Sequence, residues 1–285
     1  MAKITWLASY PKSGNTWVRI LLANYRNDSG AAVDINALGD GKGFGRAAFD
    51  EYCGFKTSTL GAALVDRLRP EIYRAMARDA RDDLIVKMHD NWRCSDRGLA
   101  VFPADCTKGV VYILRSVLDV APSAAVHWGV DNATAVERLC DPNYALGGSR
   151  RRLSRSVWQP LSSWSHHVRS WCDESGLSVL VIRYEDLKSD TLESLRRIVA
   201  FCGLSSDEQR LTHAVSNSRF ERLKEVELTG GFREHSECAR GSFFRKGQTG
   251  SWRQELPSEL VRRLVDVHGD VMTRFGYLDA RGEPL

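Results

Sequence analysis

Apolar positions follow two periods that take turns along the chain. Residues 4–9 form a short run rich in β formers. Residues 16–25 repeat Trp17, Val18, Ile20, Leu21, Leu22 and Tyr25 at helical spacing, so the two runs read as a strand, a tight turn and a helix. Residues 27–59 are rich in Gly and Ala with weak periodicity, which predicts mostly loop around short helices. A helix is expected over 60–80 in spite of Pro70. Residues 84–87 and 110–114 are short, apolar and bounded by polar turns, as buried strands are, with a loop between them. Residues 116–128 read as helix, 131–158 as a long polar stretch, 161–172 as helix and 178–182 as a fourth strand. Three helical stretches follow across 190–224. Residues 229–249 are Gly-rich, charged and aperiodic, and 257–275 return to an amphipathic helix. Strands alternating with helices predict parallel pairing with crossover helices, an α/β fold with a central parallel sheet flanked by helices.

Composition keeps the chain in the ordinary globular class, with 43% of 285 residues hydrophobic and 27% charged. There is no internal repeat, low-complexity tract or linker. One domain over residues 1–285 is therefore expected, with mobile segments at about 27–59, 129–160 and 229–249. No apolar run approaches the roughly 18–20 residues of a membrane span, and the start of the chain lacks a signal-peptide pattern. A cytoplasmic protein without a membrane partner is the resulting expectation. The seven cysteines (53, 94, 106, 140, 172, 202, 238) are odd in number and form no C-x-x-C pair. They read as reduced, mostly buried thiols, with neither a disulfide framework nor a zinc site. The net charge of +4 suits an anionic small ligand and is too mild to imply nucleic-acid binding.

Candidate chemistry begins at the first strand-to-helix turn, Ser9-Tyr10-Pro11-Lys12-Ser13-Gly14-Asn15-Thr16-Trp17. Backbone N–H groups freed at a helix N-terminus point outward, the helix dipole favours negative charge, and Gly14 allows close approach to a phosphate. Lys12 adds a mobile cation, and Ser13 and Thr16 add hydroxyl donors. The spacing does not match G-x-x-x-x-G-K-[ST], which counts against an ordinary P-loop NTPase. Read in isolation, the same residues also describe a surface turn with a solvated lysine.

The segment closely resembles the phosphosulfate loop, Y-P-K-S-G-T-T-W, of the cytosolic sulfotransferases that use 3′-phosphoadenosine 5′-phosphosulfate (PAPS), with Asn15 in place of one threonine. Two further blocks carry the resemblance. Arg115 and Ser123, in Tyr112-Ile113-Leu114-Arg115-Ser116 through Val120-Ala121-Pro122-Ser123, have the eight-residue interval of that family's 3′-phosphate site. An arginine fork pairs phosphate oxygens bidentately, and a serine hydroxyl donates one more bond. Arg245-Lys246-Gly247, within residues 241–252, resembles the family's R-K-G-x-x-G-D-W segment, with Ser251 replacing its aspartate. Lesser echoes run from residue 5 to about residue 256. Tyr184, in a Y-E-D-L segment, is expected to contact the adenine. Ser218 and Phe220 lie where the family has T-S-F beside the nucleotide, and Trp17 would stack on the base. Trp164, His167 and Trp171 resemble a W-x-x-H-V-x-x-W helix and read as packing.

Sulfuryl transfer to an alcohol needs a base for the acceptor proton and cations for the departing phosphate. His89, in Lys87-Met88-His89 at the end of a predicted strand, resembles the family's K-T-H and is the expected base. Lys12 would serve the bridging oxygen and Lys87 would be a second stabiliser; Met88 removes the family's threonine hydroxyl. The resemblance implies the P-loop-like sulfotransferase fold and transfer from PAPS to a hydroxyl or amine of a small-molecule or natural-product acceptor. It further implies release of PAP with no metal, and leaves a homodimer open. The competing readings are an ATP-dependent P-loop-type kinase and a nucleic-acid-binding module built on Arg150–Arg155 and Arg245-Lys246. The Arg150–Arg155 run would attract an acidic acceptor or form a solvated face of a lid.

Overall fold

The structure, a computed structural model, describes residues 1–38, 45–147 and 157–285. The Arg150–Arg155 run therefore lies outside the described residues. The chain folds into two compact units, the first of Met1–Tyr10, Asp40–Tyr112 and Pro142–Val181, the second of Pro11–Gly39, Ile113–Asp141 and Ile182–Leu285.

The elements in chain order are β1 (Ile4–Ser9), α1 (Asn15–Arg26), α2 (Arg46–Cys53), α3 (Ala62–Asp79), β2 (Leu84–Met88), β3 (Thr107–Leu114), α4 (Val117–Trp128) and α5 (Asn132–Cys140). They continue with β4 (Ala145–Leu146), β5 (Gln159–Pro160), α6 (Trp164–Arg169), β6 (Val179–Arg183), α7 (Tyr184–Ser189), α8 (Thr191–Phe201), α9 (Glu208–Asn217), α10 (Phe220–Gly230), α11 (Trp252–Glu255) and α12 (Ser258–Arg274). The expected architecture is present: a central parallel sheet of four strands, in the order β2-β1-β3-β6, flanked by helices. In its β1–β2 pair Leu7 lies opposite Lys87 and Ala8 opposite Met88.

In the first unit the all-buried strand β1 carries Trp6 into an aromatic core. Trp6 meets Tyr73 of α3 edge-on at 4.8 Å and Phe102 at 5.2 Å, and Phe102 touches Trp171 at 4.8 Å. Each such ring burial is worth about 2–3 kcal/mol, so this cluster is a large part of what holds the sheet to α3 and α6. α6 widens into a π turn over Ser170–Glu174. In the second unit Ile20, Ile35, Leu223, Phe232 and Phe244 form a core cluster against which Trp17, Phe220 and Phe243 pack.

Two expectations differ. The polar stretch 131–158 contains the helix α5, whose Asp131 accepts the Thr134 N–H at its N-terminus and whose Ala135, Val136 and Leu139 form a buried face. The cysteines are free thiols but not mostly buried. Cys106 and Cys202 are buried, Cys53, Cys140 and Cys172 half-buried, and Cys94 and Cys238 exposed.

Candidate active site

Within the second unit, the β1–α1 turn takes a conformation that few residues tolerate. Lys12 has φ 70 and Gly14, the N-cap residue of α1, has φ 104. Both lie in the left-handed region, where a non-glycine residue stores strain that the surroundings must hold. Gly14 is obligatory for a second reason, since a Cβ there would lie 2.7 Å from the Tyr184 ring. Ser13 is 1% exposed, and its hydroxyl has no hydrogen-bond partner among the described residues. A buried orphan hydroxyl beside a helix N-terminus is suited to an anion that brings its own acceptors.

Arg115 sits just past the end of β3 and ties two loops together. Its guanidinium donates to the Lys12 carbonyl at 3.2 Å and to the Gln248 carbonyl at 2.9 Å, and lies 4.3 Å from the Tyr184 ring centre. Its Nε has no partner among the described residues. Burial pushes the Tyr184 phenol up, opposed by Arg115. Trp17 meets Tyr184 edge-on at 5.8 Å and donates its indole N–H to the Ser218 carbonyl at 2.9 Å. The Ser218 hydroxyl accepts from Asn24 at 3.1 Å. Phe220 packs under Gly247, where a Cβ would come within 2.4 Å of its ring. Asn15 opens α1 and is buried, while Thr16 donates to Glu234 at 3.1 Å.

Lys12, Ser123, His127 and Arg245 line one small cleft, also walled by Phe243, whose ring centre is 3.9 Å from the Lys12 Nζ. Arg245 and Lys246 both bond to Glu255, Lys246 at 2.9 Å. Burial alone would raise that carboxyl, but the hydrogen bonds from the two cations win and hold it at about 2. The next turn is fixed by Asp119, which accepts from the Gly250 N–H at 2.7 Å, the Ser251 hydroxyl at 3.3 Å and the Trp252 N–H at 3.1 Å. The second unit thus brings together Lys12 to Trp17, Arg115, Ser123, Tyr184, Ser218, Phe220 and Arg245 to Gly247. Sequence reasoning passed over Asp119 and Glu255. Asp119 had a signal, standing four positions from both Arg115 and Ser123; Glu255 had none.

His89 and Lys87 belong to the first unit. Lys87 is half-buried in β2, and Met88 between them is 2% exposed, part of the core. The His89 Nδ1 lies 2.8 Å from the Ser9 carbonyl oxygen. A carbonyl only accepts, so Nδ1 carries the proton, an assignment made from this bond, and Nε2 keeps its lone pair. That tautomer is the one a general base requires at Nε2. Among the described residues no cluster of His, Cys, Asp or Glu is placed to hold a metal ion, and no helix is long and apolar enough to cross a membrane.

An α/β sheet followed by a strained strand-to-helix turn, an arginine at a strand end and a cationic cleft defines a protein that grips a phosphorylated nucleotide. Residues 3–276 match the family model described as a sulfotransferase domain, and the chain belongs to that family. Sulfotransferase 1A1 of Bos taurus is 26% identical over 257 residues, covering 87% of this chain and 76% of that protein. Sulfotransferase 1E1 of Homo sapiens is 25% identical over 286 residues, covering 97% and 86%. Two solved structures share the fold. Mouse sulfotransferase SULT7A1 complexed with PAP matches with a TM-score of 0.60 at 18% identity over 98% of this chain and 87% of that one. Retinol dehydratase in a complex with retinol and PAP matches with a TM-score of 0.61 at 21% identity over 94% and 81%.

Proposed function

We propose that this sulfotransferase takes its sulfuryl group from PAPS and passes it to the hydroxyl or amine of a small-molecule acceptor. The observation that carries the reading is the Lys12–Trp17 turn, with its buried orphan Ser13 hydroxyl, tied by Arg115 to the loop that bears Arg245 to Gly247. PAPS supplies the activated sulfuryl group when bound. The helix N-terminus at Asn15, Ser13 and Thr16 hold the 5′-phosphosulfate, and Lys12 sets a cation against the bridging oxygen. Arg115, Ser123, Arg245, Lys246 and Gly247 hold the 3′-phosphate, and Trp17, Tyr184, Ser218 and Phe220 hold the adenosine. Lys246 and Arg245 then trade their bonds to Glu255 for bonds to the nucleotide.

His89 takes the acceptor proton at Nε2, and Lys87 adds positive charge for the departing phosphate. Retinol dehydratase, which shares the fold and is solved with retinol and with androsterone, supports an acceptor that is a small organic molecule. The family match runs through both units, which supports a single sulfotransferase domain over residues 1–285, and the likeness to sulfotransferase 1A1 supports a cytoplasmic location.

Thermal-shift measurements with PAP, PAPS and ATP test the donor: PAP and PAPS stabilise the protein, and selective stabilisation by ATP overturns the assignment in favour of a kinase. His89→Ala abolishes transfer while PAP still binds, and Lys12→Ala damages both. Full activity in His89→Ala refutes the base.

A further inference from the structure

We propose that His167 is a positioning residue for sulfuryl transfer: it donates a hydrogen bond to the backbone carbonyl of His89 and thereby sets the direction of the His89 imidazole. The inference rests on the reading of His89 as the base.

The bond is between the His167 Nε2 and the His89 carbonyl oxygen at 3.0 Å. The carbonyl can only accept, so His167 carries its proton on Nε2, and Nδ1 must accept. The Tyr112 hydroxyl of β3 is 2.8 Å from Nδ1 and supplies that proton. Both ring nitrogens are therefore assigned, and the ring is fully buried, with Tyr10 edge-on at 5.3 Å. Burial pushes His167 down to about 4, so it stays neutral and keeps this tautomer at physiological pH.

The neighbouring residues show what the bond belongs to. Trp171, one turn on, donates its indole N–H to the Asp90 carbonyl at 2.9 Å. The Ser170 hydroxyl accepts the Trp92 N–H at 3.1 Å, and the Asn91 N–H donates to the Pro160 carbonyl at 2.8 Å. Four successive residues, 89 to 92, are thus each held by a main-chain bond, three of them by one face of α6 and its π turn. His167, Ser170 and Trp171 stand at i, i+3 and i+4 and so share one helix face, which runs straight into the π turn; π turns are enriched at functional sites. The Asp90 carboxylate is fixed as well, by Arg69 at 3.0 Å and Arg93 at 3.2 Å.

Packing alone does not account for a histidine here. A phenylalanine would fill the space without burying two polar nitrogens, each of which costs about 1–3 kcal/mol unless bonded. The imidazole of His89 consequently has two anchors, its Nδ1–H on the Ser9 carbonyl and its own carbonyl on His167. The second controls the backbone from which the side chain departs. Displacing a reacting group by about 1 Å costs up to roughly 100-fold in rate, so a loosened carbonyl reads out in kcat.

The test uses the full chain with His167→Phe, which has no donor, and His167→Gln, whose amide can still donate. In His167→Phe kcat falls by about 10-fold or more while the Kd for PAP stays within about twofold, and His167→Gln recovers most of the loss. Adding His167→Phe to His89→Ala lowers the residual rate no further, because the residue acts through the base. If His167→Phe does not fold, Tyr112→Phe, which takes away the group that sets the tautomer, is compared with His167→Gln and lowers kcat severalfold with PAP binding intact. Native kcat in a folded His167→Phe, or in Tyr112→Phe where that is the variant used, overturns the inference. So does loss of PAP affinity in parallel with kcat, or a further loss on the His89→Ala background. Full activity of His89→Ala itself refutes the base reading instead, so the two failures are distinct.

Discussion

Replacing Asp119 by alanine removes a buried carboxylate that holds the turn after Arg245-Lys246-Gly247. The side chain is 1% exposed and accepts two backbone N–H bonds, at 2.7 Å from Gly250 and 3.1 Å from Trp252, with a weaker bond at 3.3 Å from Ser251. Hydrogen bonds to a charged acceptor contribute about 1.5–3 kcal/mol each, so the two short ones together are worth about 3–6 kcal/mol. Part of this returns when the loosened turn hydrates its freed N–H groups, which leaves an expected destabilisation of about 2–4 kcal/mol. In a chain of this size that lowers Tm by roughly 3–7 °C. The turn also carries the Gln248 carbonyl that Arg115 bonds at 2.9 Å, so its loosening reaches the phosphate site. Reordering a single backbone residue costs about 1–2 kcal/mol on binding, hence a PAP affinity weaker by about tenfold. Thermal unfolding followed by circular dichroism, and calorimetric titration with PAP, measure the two effects. A Tm within 1–2 °C of the native value, roughly the shift of a surface substitution, refutes the stability argument. A normal PAP Kd in a destabilised variant refutes the link to the site.

Three further outcomes are expected. Gly14→Ala places a methyl group 2.7 Å from Tyr184 at φ 104 and costs at least about 1–3 kcal/mol, with PAP binding lost in a titration; unchanged binding would show that the turn is not the phosphate cradle. His167 sits near 4 in the folded protein against an ordinary 6.5, so the unfolded chain binds the extra proton between these values. Stability therefore falls as pH drops from 6.5 toward 4, by up to about 3 kcal/mol, and urea unfolding of His167→Gln should lose this slope. Glu255 is held at about 2 against an ordinary 4.5, so its pairing with Arg245 and Lys246 stabilises above pH 4.5 and fades as pH falls toward 2. Glu255→Gln should flatten that acid limb and, by releasing both cations, tighten PAP binding; weaker binding would mean the carboxylate holds them ready.

The first turn was legible because everything that defines it is local: a β-rich run, a lysine, a glycine and a helical period within seventeen residues. The same holds for β2, whose observed span Leu84–Met88 differs by one residue from its pattern. Helix α5 was hidden for the opposite reason. Its apolar face is only Ala135, Val136 and Leu139, and the glycines and arginines that follow dilute the period in any longer window. His167 was visible as a motif but not as a donor, because the carbonyl it bonds lies 78 positions away. Glu255 likewise sits ten positions from Arg245, in a helix of four residues that no periodicity announces.

The two departures from the family pattern show how far such long-range pairings decide local identity. Met88 is 2% exposed and apolar where the K-T-H pattern has a hydroxyl, so at this position the strand turns its side chain to the core. Ser251 replaces an aspartate, and its surroundings account for the neutral residue. Its hydroxyl lies 3.3 Å from the Asp119 carboxylate and also hydrogen-bonds to Glu255. A carboxylate at 251 would face two others at hydrogen-bond range, and two like charges 4 Å apart repel by about 4 kcal/mol at a partly buried site. With Asp119 capping the turn and Glu255 holding Arg245 and Lys246, the anionic places at this loop are taken. A hydroxyl, which carries no charge and whose one proton can be given to either carboxylate, is the group that the pair selects.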